Sequence, residues 1–262
     1  MAGIQFHLAD RIARSPFKAP FGSVESSQQI NPTLLYRFLE YIEGQLKAQG
    51  VSEIYLKNPP RAYALEKWSL LETFFLNQKY VVCEAEVGTV IPVTQQMFSE
   101  GIRHSEKLRM QQAEKAGFTF QILCVDKLPE VYNFISECHR EKGYTVSMTQ
   151  QELQRTVEEF PDRYLLFSVY HERKIVAASI AIRIDQSKLY NFLSNHEKQY
   201  NNSSPSLLLM EGIYEYCCQH KIELFDLGTS ALQGIPNFTL LDFKLRIGGI
   251  PTSKLSFYKK IS

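Results

Sequence analysis

The residues able to do chemistry lie mostly between positions 190 and 244. Asp226 stands near the end of the run IELFDLG, among Leu224, Phe225 and Leu227. Open α/β folds place ligands at the carboxyl ends of their strands. A carboxylate buried there would have a raised pKa and be a better base. The competing role is to cap the Gly228-Thr229-Ser230 turn by hydrogen bonding. His196 follows KLYNFLSN (188–195) and titrates near neutrality, so it can act as a general base or sit in water as a loop histidine. Tyr190 and Tyr200 are proton donors by type, but the chain has 14 tyrosines and packing is the alternative for each. Lys244, within FKLR, either holds an anion or is solvated along its stem. Ser203 and Ser204 either contact a phosphate or, for Ser204, cap a helix. Glu25 in APFGSVE (19–25), with Arg61 and Tyr63 in NPPRAY (58–63), occupies turn-rich loops suited to recognition or to plain turning.

Other chemistries lack their signatures. Cys83, Cys124, Cys138, Cys217 and Cys218 show no CxxC spacing, and their odd number fits reduced thiols in a cytoplasmic protein. The six histidines form no HxH or HExxH pair, so no metal site is expected. MAGIQFHLAD does not read as a signal peptide. The longest apolar stretch, IVAASIAI (175–182), is too short for a membrane span. With 29 basic and 28 acidic side chains, the charge gives no general attraction to DNA, RNA or an anionic membrane.

The elements that must position these residues follow from periodicity. Residues 4–30 read as short strands and a loop. A helix over 32–49 buries Leu34, Leu35, Phe38, Leu39, Ile42 and Leu46, with Asn31 as N-cap, Pro32 in the first turn and Gly50 as the stop. A strand (52–57), a helix (66–77) and a strand (79–87) follow. A charged, solvated helix is expected over 95–116. Beyond it come a strand at 118–125, helices at 129–142 and 149–159, and strands at 163–170, 174–184 and 188–195. A helix over 205–219 buries Leu209, Ile213, Tyr216 and Cys217. It leads to a strand at 222–229, a helix at 236–247 and a strand at 253–260.

Two helix starts echo each other: INPTLL (30–35) and SSPSLL (203–208). Each helix leads to a strand, Glu53-Ile54-Tyr55-Leu56 in one case and Glu223-Leu224-Phe225-Asp226 in the other. The shared order favours internal duplication over chance, and it implies two similar α/β lobes with a cleft between them.

Four stretches carry a family resemblance. They are EGIRHSEKLRMQQAEKAGFTFQIL, KLYNFLSNHEKQYNNSSPSLLLMEGIYEYCCQHKIELFDLGTS, NFTLLDFKLRIGG with its Phe243-Lys244 pair, and LSFYKK. Their order resembles the GNAT acyltransferase superfamily, in its FemAB-like, tandem-GNAT branch. The resemblance implies an α/β (α+β) fold of two GNAT-like lobes. Each lobe would be a mixed, mostly antiparallel twisted sheet flanked by helices, the first partial over 1–94 and the second over 95–262. It implies transfer of an acyl or aminoacyl group onto a primary amine, with Asp226 or His196 assisting deprotonation and Tyr190 nearby. Donor contacts would fall on Asn191, Leu193, Ser203, Ser204 and Lys244, and acceptor contacts on Glu25, Arg61 and Tyr63. The usual Arg/Gln-x-x-Gly-x-Gly/Ala turn that holds the pyrophosphate of acyl-CoA is replaced by NHEKQYNNSSPS, which has no glycine. Acyl-CoA and aminoacyl-tRNA both stay open as donors, and so does a catalytically silent binding module.

Overall fold

The computed structural model describes residues 1–27, 30–232 and 234–261. The strands and helices, in chain order, are β1 (Ala2–Gly3), β2 (His7–Ala9), β3 (Ile12–Ser15), β4 (Glu25–Ser26), α1 (Pro32–Ala48), β5 (Glu53–Lys57), α2 (Leu65–Asn77) and β6 (Val81–Pro92). The chain continues through α3 (Phe98–Gly101), α4 (His104–Lys115), β7 (Thr119–Leu123), α5 (Leu128–Glu141), α6 (Gln150–Glu159), β8 (Tyr164–His171), β9 (Lys174–Arg183) and β10 (Lys188–His196). It ends with α7 (Pro205–Gln219), β11 (Leu224–Thr229), β12 (Ala231–Leu232), β13 (Ile235–Pro236), α8 (Phe238–Arg246) and β14 (Ile250–Lys260). The fold is mixed α/β, with sheets of mixed direction flanked by helices.

The chain forms two compact units that are not contiguous in sequence. Unit 1 takes Met1–Gly88, Thr229–Asn237 and Pro251–Ser262, and unit 2 takes Thr89–Gly228 and Phe238–Ile250.

In unit 1 the strands run β2-β3-β5-β14-β6. β3 and β5 are parallel, and β5 and β14 are antiparallel. Ile54, Leu56 and Phe257 from these strands meet Leu35, Leu39 and Leu46 of α1 and Trp68, Leu71 and Phe75 of α2. Burying each such side chain is worth about 1.5–3 kcal/mol. α1 starts as its sequence predicts: Asn31 Oδ1 accepts from the N–H groups of Thr33 (2.9 Å) and Leu34 (3.4 Å). It ends before Gly50, which sits at φ +80.

In unit 2 the strands run β6-β11-β10-β9-β8-β7. α7 is apolar on most of its surface and packs Leu207, Leu209, Met210, Ile213 and Cys217 into one core with Phe167, Leu189 and Phe225. A second core joins Val131 and Ile135 of α5 and Leu153 and Val157 of α6 to Leu166, Ile180 and Leu193. Burial raises the Cys217 thiol pKa.

Beyond Leu34, which is 60% exposed and off the buried stripe of α1, three expectations change. The strand expected over 79–87 runs on through Gly88 to Pro92. A Cβ at Gly88 would lie 3.2 Å from Thr252 Cγ2, so this glycine marks a close approach between strands. The single helix expected over 95–116 is two, broken at Ile102, which is extended and buried. Nor is that helix simply solvated: Glu106 is 2% exposed and accepts from Arg246 Nε at 2.9 Å. The third change is the short β12–β13 pairing, which the sequence pattern does not signal.

Candidate active site

The site begins where two strands of unit 2 part. β10 and β11 pair in parallel through Lys188–Leu224, Leu189–Phe225 and Tyr190–Asp226. β10 keeps its pairing with β9 on the other side as far as His196. Between Asn191 and Leu193 the β9 register advances by one residue only, so Phe192 is the extra residue of a bulge. A bulge bends its strand. It lies two residues beyond Tyr190, the last residue paired with β11, and this accounts for the parting. Backbone N–H and C=O groups on that side of β10 are thereby released from the ladder. Asn191 is locked beside the bulge: its Oδ1 accepts from Ser179 Oγ at 2.5 Å and its Nδ2 donates to Ser194 Oγ at 3.0 Å.

Asp226 is 1% exposed and Lys244 6%. Asp226 Oδ1 accepts the Gly228 N–H at 2.7 Å, and Lys244 Nζ donates to Gly228 O at 2.9 Å. Gly228 sits at φ +77, where a side chain would be strained, with Tyr190 Cε2 3.5 Å from the place of its missing Cβ. Both polar ends of this residue are thus gripped by buried charged groups. Burial pushes Lys244 down to about 8, opposed by the nearby Asp226 carboxylate. Asp226 therefore takes the capping role at the Gly228 turn, and does so while buried. Lys244 is no solvated lysine, because α8 turns it inward.

The structure brings Tyr190, Asn191, Asp226 and Lys244 together but not His196. His196 lies six residues along the strand from Tyr190, roughly 20 Å at 3.3 Å per residue. His196 is the last residue of β10 and half-buried, not a loop histidine in water. Its Nδ1 is 2.7 Å from Ser206 Oγ and its Nε2 is 2.7 Å from Asn201 Oδ1. Burial lowers its pKa, and the Lys142 ammonium lowers it further. Leu193 points its side chain into the α5–α6 core. Tyr200 lies 3.4 Å from His171 Nδ1 through its hydroxyl.

Ser204 holds the N-cap position of α7 without capping it. It adopts φ 50, ψ 48, and its side chain makes no cap hydrogen bond. The Ser203 and Ser204 N–H groups donate to Tyr200 O at 2.9 and 3.1 Å, and the Leu207 N–H to Ser204 O at 2.9 Å. Pro205 has no N–H. These backbone donors are spent within the loop, so it does not fit the pyrophosphate of an acyl-CoA in the usual way. Ser206 and Asn201 carry no signature in the sequence beyond the second hydroxyl of Ser-Pro-Ser.

In unit 1, Arg61 Nη2 pairs with Glu72 Oε2 at 2.7 Å, and Tyr63 meets Phe21 edge-on at 5.4 Å. Burial raises the Glu72 pKa, and Arg61 opposes the shift. Glu25 is exposed on β4, and its charge reaches Lys67. Among the described residues no three His, Cys, Asp or Glu side chains group as metal ligands, and no helix is long and apolar enough to cross a membrane.

Residues 102–244, just over half of the chain, match the acetyltransferase (GNAT) domain family model. The chain belongs to the GNAT acetyltransferase-domain family. The matched span runs from the break before α4 to Lys244 and contains the parted strands. No curated protein matches the chain. Solved structures that share the fold include the following three. FemX has 10% identity and a TM-score of 0.73, covering 98% of this chain and 83% of its own. L-PGS from Bacillus licheniformis has 13% identity and a TM-score of 0.63, covering 100% and 82%. A tandem GNAT protein from the clavulanic acid biosynthesis pathway has 10% identity and a TM-score of 0.55, covering 99% and 78%. Acyl transfer is the general activity that this GNAT membership supports.

Proposed function

We propose that this GNAT protein transfers an acyl or aminoacyl group directly onto a primary amine, with the reacting carbonyl seated where β10 leaves β11. The observation that carries this is the end of the parallel ladder at Tyr190–Asp226 beside the Phe192 bulge. Backbone N–H groups released there can meet the oxyanion of a tetrahedral intermediate. Fixed strands supply orientation, and no covalent intermediate is required at this point.

Tyr190 is half-exposed at the parting and would return a proton to the leaving group. Asp226 and Lys244 are too buried to touch a substrate. We assign them as positioning residues that fix Gly228, against which Tyr190 packs. Asn191 holds the bulge. Glu25, Arg61 and Tyr63 are proposed to recognise the acceptor. The spent N–H groups of Ser203, Ser204 and Leu207 favour an aminoacyl ester such as aminoacyl-tRNA over acyl-CoA, although the balanced charge brings no separate support for RNA. The same spent donors are what favours the second reading, a binding module that kept the fold and lost the donor site. The shared helix–strand order of α1–β5 and α7–β11 supports internal duplication, and the reduced thiols support a cytoplasmic setting.

The test is amide formation from radiolabelled aminoacyl-tRNA, and separately from acetyl-CoA, with a mixture of primary amines. Tyr190→Phe should lower kcat by about 10–100-fold, within the range of lost proton transfer. Absence of amide from both donors would favour the binding module.

A further inference from the structure

The start of α7 and the far end of β10 hold a second set of reactive groups, roughly 20 Å along the strand from Tyr190. Ser206 Oγ, the His196 ring and the Asn201 side chain form one chain of hydrogen bonds, each link 2.7 Å. An amide oxygen only accepts, so His196 Nε2 carries the imidazole proton. Nδ1 is then the lone-pair nitrogen, and the Ser206 hydroxyl must be the donor to it. A hydroxyl nucleophile, a base and a group that orients the base therefore stand in the order that activates a serine.

The surroundings reinforce this. Burial and Lys142 favour neutral imidazole, the form that can accept a proton. Lys142 Nζ holds Asn195 Oδ1 and approaches His196 O at 3.4 Å, and Asn195 Oδ1 accepts the His196 N–H at 2.9 Å. The imidazole thus rises from an anchored backbone. Ser206 is the second residue of α7, at the positive end of the helix dipole. Its own N–H donates to no partner among the described residues, so it can meet an oxyanion forming on a group attached to Oγ. The left-handed Ser204 makes the turn that brings Ser206 back onto the end of β10, a costly backbone conformation for a non-glycine residue. Ser206 and His196 are half-buried, which leaves them within reach of a small acyl compound.

We propose that Ser206, His196 and Asn201 form a serine nucleophile that takes an acyl group from an ester or thioester to give O-acyl-Ser206. Ser206 Oγ attacks the carbonyl carbon while its proton passes to His196 Nδ1. The carbonyl π pair becomes the oxyanion, then re-forms the carbonyl and expels the alkoxide or thiolate, which takes the proton from Nδ1. One C–O bond forms and one C–O or C–S bond breaks. Water then repeats the sequence on the serine ester, releasing a carboxylic acid and restoring the hydroxyl. This activity does not depend on amine transfer at Tyr190.

The probe is p-nitrophenyl acetate with the native full chain. Expected are a burst of p-nitrophenol close to one equivalent, an intact mass higher by one acetyl group, and a peptide map placing it on Ser206. Ser206→Ala should abolish the burst while amide formation at the other site stays unchanged. His196→Ala should slow acylation by about 10³-fold or more, and Asn201→Ala by a smaller factor that still exceeds tenfold. Ser206→Cys should remain acylated, and it keeps the test decisive if Ser206→Ala melts early. Absence of a burst and adduct in the native protein, an adduct mapped to another residue, or an unchanged burst in folded Ser206→Ala would each overturn the proposal.

Discussion

Unit 1 and unit 2 contain the same local framework, a Pro-started helix followed by a strand, and use it differently. In unit 1, Asn31 caps α1 with two hydrogen bonds, and Leu56 at the end of β5 is buried in the apolar core. In unit 2, Ser204 stands at the cap position in a left-handed conformation and caps nothing. The hydroxyl two residues on turns to His196 instead. The position that echoes Leu56 is Asp226, a buried carboxylate beside a buried lysine. At this helix start and strand end the local rules are kept in unit 1, where they stabilise, and broken in unit 2, where the proposed chemistry lies.

Several experiments sharpen or break this contrast. The largest effect should come from making unit 2 resemble unit 1 at one position. Asp226→Leu leaves Lys244 as an uncompensated buried charge and should cost about 3–5 kcal/mol in urea unfolding. The double variant Asp226→Leu/Lys244→Met should recover most of that loss, since an apolar pair of similar volume often replaces a buried ion pair without penalty. If the single variant is as stable as the parent, the pair does not hold the Gly228 turn.

The helix starts should respond next. Asn31→Ala should cost about 1 kcal/mol, the usual value of an N-cap. Ser204→Ala should change stability by less than a few tenths of that, because no cap bond is lost. Equal losses at both positions would erase the distinction. Ser204→Gly should stabilise by about 0.5 kcal/mol, the relief of a left-handed residue less the entropic cost of glycine.

The smallest effect is a pH dependence from α7. Burial raises the pKa of Glu211 to about 7, with Glu215 and Glu114 adding to the shift. Between the ordinary carboxylate range and about 7, the folded state binds more protons than the unfolded state. Stability should therefore fall as pH rises through that window. Glu211→Gln should flatten this part of the curve in thermal melts followed against pH.

Much of this contrast was legible in the sequence, and the rest was not for physical reasons. α1, β5, α5 and α6 were readable because one buried stripe or a short alternation fixes each of them, and α7 because its run is apolar on most faces. Asp226 could be singled out because a carboxylate among apolar strand residues is conspicuous. The bulge at Phe192 could not, since KLYNFLSN alternates as a regular strand does and the extra residue shows only against the partner register. Lys244 looked solvated because FKLR fits an exposed helical turn, and only the packing of α8 turns its ammonium inward. His196 and Asp226 seemed candidates for one site because both follow strands. β10 carries His196 about 20 Å past the point where Asp226 lies, a distance set by the strand rise.

The most direct measurement compares amide formation from aminoacyl-tRNA and from acetyl-CoA by the native chain and by folded Asp226→Leu/Lys244→Met. A positioning role for the pair predicts product with the native chain and a loss of about 100-fold or more in the double variant, as expected when donors around an oxyanion are misplaced. Undiminished transfer by the folded double variant would contradict a transfer site at the parting of Tyr190 and Asp226.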